Sequence, residues 1–246
     1  MFSAEALLDD LTRIALDVTR LDPYTGGHLR RSARYSRILA SAAGFDAAQV
    51  ARITLGGFLH DVGKLKVPAA LLSKAGPLNP SERATMQGHT TVGAALIANH
   101  RLGNLVIGAV LSHHERMDGE GYPRKLRGDQ IPLDARVVSI VDAFDAMTTQ
   151  RPYRQPLRLE SAIEQLHLGL GTQFDEGLGR TFIRLATAGV FDDDVAYSNA
   201  LEIPAGLAAF AHLVGQDIAD ELVGICEAEL SESTLRRDAR RVAQAS

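Results

Sequence analysis

Apolar residues recur at helical spacing along almost the whole chain, and no run alternates apolar with polar as a half-buried strand would. Leu7, Leu11, Ile14, Val18 and Leu21 form the first seam, with Ser3 as its N-cap. The same period predicts helices over 28–43, ending at Gly44, and over 47–62, ending at Gly63. "NPSE" at 79–82 opens another, with Asn79 as cap, Pro80 in the first turn and Glu82 reaching back; it should run to about Ala98. Residues 103–114, 134–149, 158–168 and 176–188 are further helices, and 115–132 is a long loop. The expected fold class is all-α, a helical bundle with extra N- and C-terminal helices. Residues 1–27 lead into the bundle, and 190–246 form a C-terminal helical extension. That extension opens on an acidic, broken linker, "FDDDVAYSNALEIP". It continues with an apolar stripe, Leu207, Phe210, Val214, Ile218, Leu222 and Ile225, and ends in a basic polar segment, 234–246. The stripe either packs back on the bundle or mediates a homodimer.

Charge removes several function classes. With 26 basic and 30 acidic residues the net charge is −4, which gives no general attraction to DNA, RNA or an anionic membrane. The single cysteine, Cys226, allows no intrachain disulfide. The N-terminus lacks the basic region and small-residue cleavage site of a signal peptide, and no apolar run approaches the ~20 residues of a membrane helix. A cytoplasmic protein without a membrane partner is expected.

Against this bland background the histidines stand out. His28, His60, His89 and His113 follow one another at intervals of 32, 29 and 24 residues, and His114 follows directly. Two helices and their loops in an up-and-down bundle cover about that many residues, so the imidazoles can return to one level of it. Adjacent helical residues point ~100° apart. His60–Asp61 and His113–His114 therefore address one site only from helix ends, or they serve two neighbouring cations that a carboxylate bridges. Asp142 lies in the apolar run "RVVSIVDAFDAM", where a charge needs a partner: an arginine, or a metal at the level of His60–Asp61. Asp145, one turn on, reads as a local cap or hydrogen-bond partner. His100, His167 and His212 have no such neighbours and read as structural.

The series "DPYTGGH" (22–28), "HDVGK" (60–64), "GH" (88–89), "HHERMDGEGYP" (113–123), "VDAFDAMTTQRPYR" (141–154) and "GTQFD" (171–175) resembles the HD-GYP branch of the HD phosphohydrolases. The resemblance covers about residues 13–187. It implies an HD-type helical bundle that hydrolyses cyclic di-GMP to pGpG or on to GMP. It further implies that His28, His60, Asp61 and Asp142 hold one metal. Asp61 then bridges to a second, held by His89, His113 and His114, and Lys64 faces a substrate phosphate. Some members bind a third metal through a glutamate four residues before the first histidine; here Tyr24 stands there, so two metals are expected. A mixed imidazole and carboxylate set suits iron or manganese first, with zinc, cobalt and nickel also compatible.

The chemistry asks for these parts. Two cations offset the charge that shields a phosphodiester and lower the pKa of a bridging water, so that hydroxide attacks phosphorus. Asp61 and Lys64 are the expected catalytic pair, and Lys64 adds an ammonium at the non-bridging oxygens. Arg151 and Arg154 suit the second phosphate or a guanine edge, or are solvated loop charges. Tyr122 either stacks on a base or shapes the rim. Glu115 and Asp118 either orient the histidines or cap the loop.

Three other readings compete. One is a catalytically weak cyclic-dinucleotide-binding module reporting to a partner protein. Another is an HD phosphohydrolase acting on (p)ppGpp or dNTPs, and the third is a dimerising, partner-binding protein. The residues before His28 are too few for the sensor or receiver domain that family members usually carry, so regulation is expected from a partner protein, the C-terminal segment or expression.

Overall fold

The computed structural model describes residues 3–21, 23–150, 155–191, 207–228 and 231. Its helices are α1 (Ala4–Leu21), α2 (Pro23–Ala42), α3 (Ala47–Leu59), α4 (Ala69–Leu72), α5 (Pro80–Gln87), α6 (His89–Ala98), α7 (Ile107–Ser112), α8 (Leu133–Thr148), α9 (Leu159–Gly169), α10 (Glu176–Thr187) and α11 (Leu207–Val214). A further helical stretch covers 216–228. Short 3-10 turns occupy Val62–Lys66, Gly103–Leu105 and Gly128–Gln130. Among the described residues the only β pairing is one isolated bridge, Leu170 with Phe174. The all-α expectation holds.

The capping signals act as the sequence implies. Asn79 Oδ1 accepts from Glu82 N at 2.9 Å, and Glu82 Oε2 accepts from Asn79 N at 2.9 Å. Ser3 Oγ accepts from Ala6 N at 3.2 Å. Of the first seam, Leu7, Leu11 and Val18 are buried and Ile14 is half-buried. Helix α2 starts five residues earlier than the periodicity suggests, at Pro23. Proline suits a first helical turn, whereas Gly26 and Gly27 weaken the sequence signal there.

Three expected helices end early or break, and one cause accounts for two of them. The helix expected over 47–62 stops at Leu59, and the one expected over 79–98 breaks at Gly88. At each place a histidine side chain takes a carbonyl that a continuing helix would have used. His60 Nδ1–H donates to Gly57 O at 2.8 Å, and His89 Nδ1–H donates to Met86 O at 2.7 Å. In a continuous helix those oxygens would accept from the N–H groups of Asp61 and Thr90. The third, expected over 103–114, is a 3-10 turn followed by α7, with His113 as its C-cap.

Helices α3 and α8 pack on each other and on both α2 and α7 around the core, with α6 laid across α7 and the Val62–Lys66 turn. Phe144, Phe182, Phe191 and Tyr35 form an aromatic cluster; Phe182 stacks on Phe191 with centroids 4.8 Å apart. The C-terminal stripe packs back on the bundle: Phe210, Val214, Ile218, Leu222 and Ile225 are buried, and Phe210 meets Phe58 edge to face at 5.2 Å. Arg37 of α2 donates to the Val214 carbonyl at the end of α11 and pairs with Asp217 at 2.6 Å. The stripe is thereby used within the chain, the first of the two uses expected for it. Most of the expected linker and the basic end segment lie outside the described residues, as do the side chains of Leu21 and Tyr24.

Candidate metal centre

The site is assembled at helix ends. A helix leaves its last four carbonyls without intrahelical donors. His60 follows α3 and His113 follows α7, and each turns its Nδ1–H back onto its own helix, onto Gly57 O at 2.8 Å and Ala109 O at 2.9 Å. His89 does the same to the last turn of α5. A carbonyl can only accept, so these three rings carry their proton on Nδ1 and turn the Nε2 lone pair into the pocket. His28, on α2, is fixed differently: its Nδ1–H donates to Asp145 Oδ2 at 2.8 Å.

The Nε2 atoms converge. His28 Nε2 lies 3.0 Å from His60 Nε2, and His89 Nε2 lies 3.2 Å from His113 Nε2. Asp61 sits between the two pairs. Its Oδ2 is 3.4 Å from both His28 and His60, and its Oδ1 is 3.4 Å from His89. Asp142 Oδ1 approaches His28 at 3.5 Å and His60 at 4.0 Å. Ligand atoms within 4.8 Å of one another group His28, His60 and Asp142; His89, His113 and His114; and His60, Asp61 and His113. His89 and His113, each with its proton on Nδ1, face lone pair to lone pair at 3.2 Å, an arrangement that repels unless something positive lies between them. The donor set, imidazole nitrogens with two carboxylates, fits divalent transition metals.

Two glycine-dependent contacts set this geometry. The Val62–Lys66 turn lies so close to α6 that a Cβ on Gly63 would stand 1.8 Å from His89 O and 2.6 Å from Gly93 N. The glycine of "HDVGK" thus lets the His60–Asp61 end of α3 meet the His89 end of α6. The second contact, at Gly121, folds the 115–131 loop back on itself, where a Cβ would lie 2.5 Å from Glu115 Cα and 2.6 Å from His114 O.

Electrostatics favour ligand forms. Burial lowers the pKa of His89, of His113 well below its ordinary value, and of His114 to about 4, so these rings are neutral at pH 7. Burial acts in the same direction on His28. There the Asp145 hydrogen bond, with Asp61 and Asp142 nearby, outweighs it and raises the pKa to about 9. The negative charge that holds a proton on His28 is the charge a cation would meet. Burial works against ionised Asp61 and Asp142. Lys64 and His60 beside the first, and His28, His60 and His114 beside the second, nevertheless hold both carboxyls below the usual range.

All seven expected ligands and Lys64 come together. Lys64 Nζ pairs with Asp61 Oδ2, and its side chain, 24% exposed, lies with the 17%-exposed Asp142 on the solvent side of the site. Arg151 and Arg154 lie outside the described residues. Tyr122 is half-buried, with its ring stacked on His114 at 4.8 Å and 29°. Glu115 is buried and caps the loop, accepting from Arg124 N at 2.7 Å and Leu126 N at 3.0 Å. Asp118 also serves the loop, pairing with Arg116 at 2.6 Å and accepting from Glu120 N at 3.0 Å.

Asp145 is indeed a hydrogen-bond partner, but of a site residue rather than of its own helix, and Arg31 joins it. Arg31 pairs with Asp145 through Nε, and its Nη2 donates to Asp145 Oδ2 at 3.2 Å. The signal for Asp145 was a second aspartate in one apolar helix. Arg31 gave none, since "LRRSARYSR" reads as an ordinary polar helix face.

The chain is similar to proteins already known. A family model for the HD domain matches residues 18–178. The chain is 34% identical over 169 residues to a cyclic di-GMP phosphodiesterase response regulator of Xanthomonas campestris pv. campestris, covering 68% of this chain and 45% of that protein. It is 36% identical over 156 residues to the 3'3'-cGAMP-specific phosphodiesterase 2 of Vibrio cholerae, covering 63% of this chain and 30% of that one. Both relatives are thus more than twice as long as the stretch they share with it. Among solved structures, an HDG"Y"P protein from Bdellovibrio bacteriovorus is similar with a TM-score of 0.54 at 22% identity, covering 69% of this chain and 54% of that one, a likeness of fold.

Proposed function

This chain belongs to the HD domain family, and from that premise we propose that it is a metal-dependent phosphodiesterase that opens cyclic di-GMP to pGpG, GMP or both. The observation that carries the reading is the position of Asp61. Its two oxygens face different imidazole groups, Oδ2 toward His28 and His60 and Oδ1 toward His89. In this reading His28, His60, Asp61 and Asp142 hold one cation, and Asp61, His89, His113 and His114 hold a second. Two divalent cations would supply charge neutralisation at phosphate and a water of lowered pKa as nucleophile.

The chain's own groups do the rest. Asp145 and Arg31 hold the His28 ring so that Nε2 points into the site. Carbonyl hydrogen bonds do the same for His60, His89 and His113, so none of these rings must reorganise as charge develops. Once a cation takes the place of the extra proton on His28, the carboxylates of Asp61, Asp142 and Asp145 exceed Lys64 and Arg31 by one charge. The pocket is therefore suited to cations and, once they are held, to a dianionic ligand. Lys64, partly open to solvent, moves from Asp61 to a non-bridging phosphate oxygen when substrate enters. Arg151 and Arg154 follow α8 in sequence and supply guanidinium groups for the other phosphate or a guanine edge.

The test is Asp61→Ala. It should lose bound metal and hydrolysis of cyclic di-GMP together, while far-ultraviolet circular dichroism stays helical. Elemental analysis and product chromatography read the two losses, with 3'3'-cGAMP assayed beside cyclic di-GMP. Turnover that persists with metal absent would end this mechanism.

A further inference from the structure

His114 differs from the other site histidines in how its ring is held. His60, His89 and His113 are fixed by carbonyl hydrogen bonds and His28 by Asp145. Among the described residues the His114 imidazole makes no hydrogen bond; its ring meets His113 at 4.2 Å, tilted, and His89 at 5.2 Å, edge-on, and only Tyr122, at 4.8 Å and 29°, stacks on it.

The loop is built to deliver this contact. Tyr122 N donates to His114 O at 3.2 Å, and Gly121 lies against Glu115 Cα, where no side chain would fit. Beyond Tyr122, the Glu115 carboxylate takes the N–H groups of Arg124 and Leu126. On the other side, Asp118 N donates to Thr172 O at 2.8 Å, tying the loop to the α9–α10 connection. These bonds clamp Tyr122 from both flanks and lay its face on the imidazole.

We infer that Tyr122 is a positioning residue for His114, replacing by ring stacking the hydrogen bond that orients each of the other four histidines. The inference deepens the proposed function and rests on His114 being a metal ligand there. It also assigns the "GYP" tyrosine a task other than holding a base: the face on His114 is already occupied. A planar ring is what the task requires, and the hydroxyl is not.

The experiment uses the full chain, stripped of metal and titrated with Co(II), followed by visible absorption and calorimetry, for the wild type, Tyr122→Phe and Tyr122→Leu. The wild type and Tyr122→Phe should take two equivalents with matching affinities. Tyr122→Leu should weaken one of the two equivalents by about 10- to 100-fold, the usual cost of losing a group that orients a ligand. His114→Gln should weaken that same equivalent. If Tyr122→Leu keeps both affinities and only raises KM for the cyclic dinucleotide, the tyrosine serves substrate and the inference falls. Should Tyr122→Leu fail to fold, nuclear magnetic resonance of the wild type decides. The His114 ring protons, assigned by their loss in His114→Gln, should be shifted upfield by the tyrosine ring current, and an unshifted resonance overturns the inference. A wild-type chain that takes no metal would instead defeat the functional reading, a result separable from these.

Discussion

At the scale of single residues, the centre depends on groups that lie behind the converging imidazoles. Asp145 is fully buried and serves two partners, His28 and Arg31. Removing its charge breaks a buried ion pair, a change that typically costs about 3–5 kcal/mol. Asp145→Asn should therefore lower the urea midpoint by an amount of that order and weaken metal uptake about 10- to 100-fold through His28. Urea unfolding and a metal titration on the same preparation check both halves. Unchanged uptake would mean that the His28 ring is set by something else. The converging histidines were legible from the sequence because four imidazoles returned at bundle spacing, a fifth directly after the last, beside two acids. Their orienting partners were not. Backbone carbonyls carry no sequence signature, and Arg31 looks like any solvated arginine until the fold sets it beside Asp145.

At the scale of elements, helix existence was legible and helix ends were not. Asn79 with Glu82 announces a start that the structure keeps, because a capping box is local chemistry. The stops at Leu59 and Gln87 depend on imidazoles turning back onto carbonyls, and apolar periodicity has no term for that. The contact of the Val62–Lys66 turn with α6 is equally silent in the period and speaks only through two glycines. Gly63→Ala places a methyl 1.8 Å from His89 O, so the turn and α6 must part. Overpacking of this kind costs about 1–3 kcal/mol. The larger effect should be functional, since the parting separates Asp61 from His89. We expect Gly63→Ala to stay helical yet bind less than two metal equivalents per chain; a variant that loads fully would show that the contact is not what spaces the groups.

At the scale of the whole molecule, five segments distant in sequence meet at one point: α2, the end of α3, the start of α6, the end of α7 and the middle of α8. Metal held there would tie the bundle together. A ligand at about 100 times its Kd adds about 2.7 kcal/mol to folding stability, which for a chain of this size raises Tm by roughly 5–10 °C. Stripping with a chelator should lower Tm by that amount, and adding back Mn(II) or Fe(II) should restore it; a Tm indifferent to chelation would mean the site is not loaded. No helix among the described residues is long and apolar enough to cross a membrane.

The two halves of the site also differ in how much chain each needs. His89, His113 and His114 belong to one stretch, 89–114, whereas His28, His60 and Asp142 bracket 28–142. A nascent polypeptide leaving the ribosome has synthesised the first triad while Asp142 is still untranslated. A chain ending before α8 would therefore keep every residue of the 89–114 group and lack Asp142 of the other.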